Sequence, residues 1–593
     1  MGKRRTTASL AAAAIAGLLA VLVTAAGSAG ADPPADRPNV VMIVTDDQTL
    51  QEMRGLPMTK WWIGGHGTTF NRAYISYPLC CPARASILTG QYMHNNTVRG
   101  NGGAFGGWLR FRNGGSEARA LPTWLQNAGY YNVQVGKYMN GYPGNSVPPG
   151  WDEWYGKHSE FDRNVHGARL YCNYRMLEDP PAVGGVPCPS GGPAVPGEPH
   201  TCVYGQSASD YQTDVIRDKA VEAIHRLGGD GSTERPFFIN VAFNSPHSPY
   251  VPAPRHAGAF AGLKVPKLPG TNEKKISDKP RFLRRLPRLG NGKLRQNKRK
   301  RRARLEMLLS VDQAVHAIAV ALHRENELNN TYLMFVSDNG YFAGEHRIRQ
   351  GKYLPHDSSA HVPLMIRGPG IPRGGASEEL VSNVDIAQTI RQISGASAKL
   401  PQDGRSLLPF AQRPGLRSTR PVLLEGDSGP GIDDETGEGP VLEAADRRRL
   451  KRYRKKLKRQ KRKLRRQCKR LKRRAPKRAL LCFRRGVRNL DQEPTLSTYT
   501  LRAPAYRALR THRYLGVLYA QGAVELYDMK RDPHQLRSVH KARRYKKVRK
   551  WMLARINEMA VCRGENCSRH LGREPKLLKK RKKKGKKAGQ RRR

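Results

Sequence analysis

"NVVMIVTDD", residues 39–47, is an unbroken apolar, β-branched run that ends in two acids. A run with no polar alternation reads as a strand buried on both faces, the situation of strands in a parallel sheet. Asp46 and Asp47 then stand at the carboxyl end of that strand. The pattern returns downstream. Leu121 to Ala128 reads as a helix, and Asn132 to Val135 as a strand reaching Gly136-Lys137. Phe237 to Phe243 runs into Asn244-Ser245-Pro246-His247. A helical stretch from about Leu305 to Leu322 precedes the strand Tyr332 to Val336, which stops at Ser337-Asp338-Asn339-Gly340. His361 to Ile366 reads as one further strand. Strands alternating with helices predict an α/β fold with a mostly parallel sheet covered on both faces. In such sheets ligands bind beyond the carboxyl ends of the strands, where polar residues recur here.

Composition bounds the rest. Apolar residues make up 38% of the chain, enough for an ordinary core, but 106 Lys and Arg against 48 acids give a net charge of +58. That excess is local, so it speaks of partners more than of fold. Arg447 to Arg488 carries 25 Lys or Arg in 42 residues and no acid, with Leu450, Leu457, Leu464 and Leu471 spaced by seven. The period fits a basic helix or coiled coil, and the charge fits equally a solvated disordered run. Lys576 to Arg593 has no apolar period and reads as a disordered basic tail. Lys274 to Arg304 is a third basic stretch, either lining the site or forming a surface loop.

Lys3, Arg4 and Arg5, the apolar run Leu10 to Val23, and Ala29-Gly30-Ala31 read as a secretory signal peptide over 1–31. No second run is long and apolar enough to cross a bilayer, so no membrane span is expected after cleavage. Nine cysteines in an exported chain point to disulfides. Cys562 and Cys567 are close enough to bridge, and Cys172, Cys188 and Cys202 fall in a Pro/Gly-rich region suited to a staple.

Asp46, Asp47, Asp338 and Asn339 are hard oxygen ligands on two strand ends, which suits Ca²⁺ or Mg²⁺ and disfavours zinc. Lys137, His247 and Lys352 add the cationic and protonatable groups that a tetrahedral oxyanion beside a metal requires. The residues thus point to metal-dependent hydrolysis or transfer of a phosphate or sulfate ester. They leave the nucleophile open.

"CCPARASILTG", residues 80–90, closes that gap by resemblance. Cys80-x-Pro82-x-Arg84 followed by Leu88-Thr89-Gly90 is similar to the signature of type I sulfatases, in which the first cysteine becomes Cα-formylglycine. The stretches "GKYMNGY", "NSPHSPYVPAP", "LNNTYLMFVSDNGY" and "HVPLMIRGPGI" resemble the N-acetylglucosamine-6-sulfatases and heparan endosulfatases. The resemblance implies an alkaline-phosphatase-like sandwich with a large central sheet and a smaller C-terminal α+β subdomain. It places a catalytic domain over 36–410, the subdomain over 411–446 and 489–570, a basic insertion over 447–488 and a tail over 571–593.

Carried onto this chain, the resemblance makes Asp46, Asp47, Asp338, Asn339 and modified Cys80 the Ca²⁺ ligands. Arg84 would hold the formylglycine, Lys137 and Lys352 the sulfate, and His247 the leaving oxygen. One hydroxyl of the hydrated aldehyde would attack sulfur, and the other would then expel sulfate, a covalent route with its own release step. The implied partners are a sulfated carbohydrate or other polyanion and, during maturation, the formylglycine-generating enzyme; no specific nucleic acid is implied. Met139 stands where many members have His, which leaves the base unassigned. The acid often found after the second lysine in the family is not obvious near Lys352, and His356 and Asp357 are the candidates for that neighbourhood. The expected activity is that of a secreted sulfuric ester hydrolase. The alternatives are a phosphodiesterase or phosphonate hydrolase on the same fold, and an inactive polyanion-binding shell.

Overall fold

In the computed structural model, which describes residues 37–158, 174–179, 201–204, 207–229, 235–265, 267–427 and 503–579, the opening run is strand β1 (Asn39–Thr45). Val40, Val41 and Ile43 are wholly buried. Nine further strands join it: β2 (Thr68–Phe70), β3 (Tyr131–Lys137), β4 (Glu153–Lys157), β5 (Tyr174–Asp179), β6 (Thr201–Tyr204), β7 (Phe237–Ala242), β8 (Thr331–Ser337), β9 (Leu364–Arg367) and β10 (Gly375–Ser377). Their order across the sheet is β10-β2-β9-β8-β1-β7-β3-β4-β5-β6. The five central strands, β8 through β4, run parallel as the sequence predicts. Antiparallel pairings appear only toward the two edges.

Alternate residues of β1 feed two separate cores, as the two-residue period of a strand requires. Val40, Met42 and Val44 pack with α1 (Cys80–Thr89), α2 (Leu121–Asn127) and α5 (Val384–Ser394). Val41 and Ile43 pack with α3 (Gln212–Gly228) and α4 (Asn291–Arg324) on the other face. A second sheet of four antiparallel strands, β11 (Val422–Gly426), β12 (Tyr506–Arg510), β13 (Tyr514–Tyr519) and β14 (Val524–Asp528), carries helix α6 (Lys546–Met559).

Three expectations change. Helix α4 begins at Asn291, 14 residues before the predicted start, so the basic stretch ends as helix and not as a loop. Lys and Arg are good helix formers, and apolar periodicity alone misses a turn whose side chains mostly face water. The predicted strand over 361–366 is two, His361–Val362 in a small three-stranded sheet and β9 in the main one. Pro363 separates them because it cannot donate to a ladder. Lastly, the apolar part of α4 is long and apolar enough to cross a membrane by composition, yet it is a core helix. Leu308, Val311, Val315, Ile318 and Leu322 are fully buried against the sheet and α3.

The Cys562–Cys567 disulfide is present. Cys202 is also disulfide-bonded; Cys172 and Cys188 lie outside the described residues. So do the expected signal peptide, the whole of 447–488 and the tail beyond residue 579.

Candidate active site

Register brings the acids together. Thr45 of β1 lies opposite Ser337 of β8, so the next residues of each strand, Asp46-Asp47 and Asp338-Asn339, leave the sheet side by side. The Asp47 amide donates to Asp338 Oδ1 at 3.2 Å, and Asn339 Nδ2 donates to Asp47 Oδ1 at 2.6 Å. Asp47 is in the left-handed region at φ 67°, which Asp tolerates better than most residues. On the other side of β1, Val44 pairs with Ala242 of β7, and β7 with β3, which delivers His247 and Lys137 to the same end.

Cys80 arrives from a helix start. Leu79 is extended, Cys80 opens α1, and Gly90 closes it in the left-handed region at φ 66°, with its amide on the Ser86 carbonyl at 2.9 Å. A helix N-terminus presents free backbone N–H groups and favours negative charge nearby. The buried Cys80 thiol donates to Asp46 Oδ1 at 3.5 Å and accepts from Lys352 Nζ at 2.9 Å. Lys352 also pairs with Asp47, and Lys137 with Asp46. Arg84, one turn along α1, donates through Nε to Asp338 Oδ2 and through Nη1 to the Lys137 carbonyl, both at 2.9 Å. His247 Nε2 stands 3.8 Å from Asp47 Oδ2 while Nδ1 contacts the Ser248 carbonyl. Asp46, Asp47, Cys80, Arg84, Lys137, His247, Asp338, Asn339 and Lys352 therefore share one cluster.

Burial pushes the Asp46 carboxyl up, but Lys137, His247, Lys352 and Arg84 outweigh it and hold it well below the usual range. Burial and the Asp46 charge push Asp338 the other way, upward, against the pull of Arg84. Burial disfavours a charged Lys137 or Lys352, yet the neighbouring carboxylates keep both ammonium groups above their ordinary value. Burial and Asp46 push the Cys80 thiol up to about 12, so it stays protonated at neutral pH.

Ligand atoms of Asp46, Asp47, Cys80 and His247 lie within 4.8 Å of one another, a set able to hold a metal ion. Two further observations fit a cation and an anion there. Asn339 Oδ1, an acceptor, and Arg84 Nη2, a donor, are buried without a hydrogen-bond partner. A buried polar atom left unpaired costs about 1–3 kcal/mol, which a bound group would relieve. The oxygen donors gathered here, Asp46 and Asp47 with Asp338 and Asn339 hydrogen-bonded to Asp47, suit a hard cation such as Ca²⁺ or Mg²⁺ better than the sulfur of Cys80 or the nitrogen of His247 does.

His356 and Asp357 do not serve the cluster. His356 Nε2 turns to Glu525 of β14 at 3.0 Å, and Asp357 accepts from Gln535 Nε2 at 2.6 Å. The carboxylate beside Lys352 is Asp47, supplied by β1. Cys81 packs in the core and its sulfur accepts the Asn140 amide at 3.0 Å.

Sequence reading missed part of the wall. A pocket next to Lys137 and His247 is lined also by Met139, Asn140, Lys157, His158 and Asn244. Lys157 ends β4, directly opposite Lys137 of β3. Its strand, "EWYGK", is short and ends in no acid, so only its place beside β3 gives it away.

A family model described as Sulfatase matches residues 38–396. The human N-acetylglucosamine-6-sulfatase is 34% identical over 414 residues, covering 66% of this chain and 68% of that protein. A Drosophila melanogaster extracellular sulfatase SULF-1 homolog is 30% identical over 428 residues, 70% of this chain. The chain spans 35% of that fly protein and 48% of a related Caenorhabditis elegans extracellular sulfatase, about half their length or less. Among solved structures, BT4656 in complex with D-glucosamine-2-N,6-O-disulfate superposes with a TM-score of 0.61 at 20% identity, covering 88% of this chain and 97% of the other. A phosphonate monoester hydrolase of Agrobacterium radiobacter gives 0.60 at 18%, covering 88% and 95%. These likenesses show the shared alkaline-phosphatase-like α/β fold. With more than half of its length matched by the family model, the chain belongs to the sulfatase family.

Proposed function

We propose that the protein is a secreted sulfatase that hydrolyses sulfate esters of a sulfated carbohydrate, with glucosamine 6-sulfate in a glycosaminoglycan as the leading substrate. The observation that carries the reading is the meeting of Cys80 at a helix start with four metal-ligating candidates, two lysines and His247. Relatives named for N-acetylglucosamine 6-sulfate and for extracellular sulfatases support the substrate class and the secretion.

Cys80 is read as the precursor of Cα-formylglycine, made by a formylglycine-generating enzyme; when formed, that group supplies paired hydroxyls, one to attack sulfur and one to release sulfate. Asp46, Asp47, Asp338 and Asn339 would hold a Ca²⁺ ion, with Mg²⁺ as the alternative, and the ion would supply charge stabilisation to the sulfate oxygens. The chain's own residues do the rest. Lys137 and Lys352 place fixed positive charge where the sulfate oxygens sit, and in a buried site such charges act far more strongly than in water. Arg84, tied to Asp338 and to the Lys137 carbonyl, fixes the helix start that carries Cys80. His247 stands on the pocket side of Asp47, in position to give a proton to the departing alcohol oxygen.

The test has two arms. Mass spectrometry of the Cys80 peptide from the exported protein should show an aldehyde in place of the thiol. The same material should release sulfate from glucosamine 6-sulfate faster than it cleaves a phosphonate or phosphate diester. Active protein with an intact Cys80 thiol would refute the nucleophile. Diester cleavage without sulfate release would transfer the assignment to the phosphonate hydrolase alternative, which shares this fold. Polyanion binding with neither reaction would leave an inactive shell.

A further inference from the structure

Helix α4 has two unlike halves. From Arg304 onward it is core, while the turns before it carry charge to solvent. Fifteen of the 31 residues from Lys274 to Arg304 are Lys or Arg, against the single acid Asp278. Arg295, Lys298 and Arg299 are exposed on the helix, and Arg281, Arg284, Arg285 and Arg288 on the segment before it.

The charged half is fastened to the active site. Arg304 donates to the Asp47 carbonyl at 2.6 Å and to the Pro246 carbonyl, next to His247, at 3.2 Å. One turn back, Lys300 donates to Gln350 Oε1 at 2.7 Å, and Asn297 donates to the Arg349 carbonyl at 2.8 Å. Those two residues lead directly into Gly351-Lys352. Lys300 also lies over the ring of Tyr250, 5.1 Å from its centroid, and the Tyr250 hydroxyl meets that of Tyr341. From Arg304 back to Asn291 the axis covers about 20 Å at the usual rise per residue. Exposed Arg54 faces the same helix, and burial together with the charge of Arg301 lowers its pKa. Like charges crowded at one place disfavour the free protein and favour an anionic partner.

We infer that the N-terminal half of α4, with Arg295, Lys298 and Arg299 at its exposed face, is a docking ridge for the sulfated polysaccharide chain on which the site acts. The inference rests on the sulfatase reading for the identity of the polymer. It places the docking surface on the catalytic domain itself, outside residues 447–488. A flexible polyanion has regularly spaced charges, which suits a helix with basic side chains on successive turns.

The experiment compares the full chain with the triple variant R295Q/K298Q/R299Q, and with K546Q/K547Q/K550Q on exposed positions of α6 as an equal charge loss elsewhere. Each protein is assayed on heparin and on glucosamine 6-sulfate, and its affinity for heparin is measured at several salt concentrations. The ridge variant should raise KM for heparin about tenfold at physiological salt and flatten the salt dependence of binding. Its kinetics on the monosaccharide and its kcat on heparin should stay within about twofold of the parent. An unchanged heparin KM, an equal loss on the monosaccharide, or an equal loss in the α6 control would overturn the ridge. So would a single-stranded DNA oligonucleotide that competes as well as heparin, since the surface would then be selective for no polysaccharide. If no protein releases sulfate, the sulfatase reading fails, and the binding arm still decides whether the ridge holds heparin.

Discussion

Two buried charge systems touch at Asp47 and are built in opposite ways. Arg304 and Glu52 form a closed pair: Nε meets Oε1 and Nη2 meets Oε2, each at 2.7 Å, and the remaining donors reach the Pro246 and Asp47 carbonyls. Glu52 takes the Thr49 amide and hydroxyl as well. The cluster around Cys80 is crowded and open. Asp46 is shared by Lys137, Arg84 and Lys352, while Arg84 Nη2, 3.9 Å from Asp46, and Asn339 Oδ1 make no hydrogen bond. A structural pair satisfies every atom, because unpaired buried charge is expensive. A site for a ligand keeps atoms in reserve, and pays in stability for chemistry.

The sharpest separation is Cys80→Ala. Removing one buried sulfur leaves the fold in place, and sulfate release should drop by about 10⁴-fold or more, the scale of losing a covalent nucleophile. A variant that kept a tenth of the activity would break the assignment of Cys80. Arg304→Met should do the reverse. It strands Glu52 in the interior and should cost about 3–5 kcal/mol, read as a lower urea midpoint at constant m-value. If it unfolded at the same urea concentration as the parent, the closed pair would not be the structural element described above. Asp338→Asn is the intermediate case. The protein already disfavours the charge at Asp338, so the neutral isostere should leave the urea midpoint unchanged or higher. Activity should still fall about 10²–10³-fold, because a charged ligand to the proposed ion is replaced by a neutral one. A large loss of stability would move Asp338 into the structural class with Glu52.

Much of this was legible in the sequence, for a reason specific to the fold. Parallel strands buried on both faces are largely apolar runs, so their ends are marked by short polar stretches, and Asp46, Asp47, Asp338, Asn339 and His247 lie in those stretches. Cys80 was different. Spacing alone left the nucleophile open, and only the likeness of "CCPARASILTG" to a known signature supplied it. What stayed hidden depends on pairing across the chain. Lys157 belongs to the site because β4 lies beside β3 in register, which no local pattern encodes. Asp47 rather than Asp357 faces Lys352 because the loop after β8 folds back over β1, while His356 and Asp357 face the second sheet. The basic turns of α4 hid for another reason: their apolar period is too sparse to read until the core half of the helix begins.

The smallest expected effect lies where the two sheets join, and it extends the comparison to a pair that titrates. His94 Nδ1 meets Glu425 of β11 at 2.8 Å, and its Nε2 meets the Cys562 carbonyl at 2.8 Å, so one imidazole ties α1's flank to both ends of the C-terminal sheet region. Burial opposes its charge, but the hydrogen bond and charge of Glu425 prevail and raise its pKa above the ordinary value. The sign follows. A histidine with a raised folded pKa binds its proton more tightly in the folded state, so its contribution is complete below the unfolded value of about 6.5 and is lost as pH rises through the folded value. Replacing His94 with Gln should therefore cost about 1 kcal/mol at pH 6 and progressively less at higher pH, seen as melting curves that converge. A constant offset across that range would show that neutral hydrogen bonding holds the joint. A joint of that kind would resemble the closed Arg304 pair in one respect, since its stability would be independent of pH near neutrality.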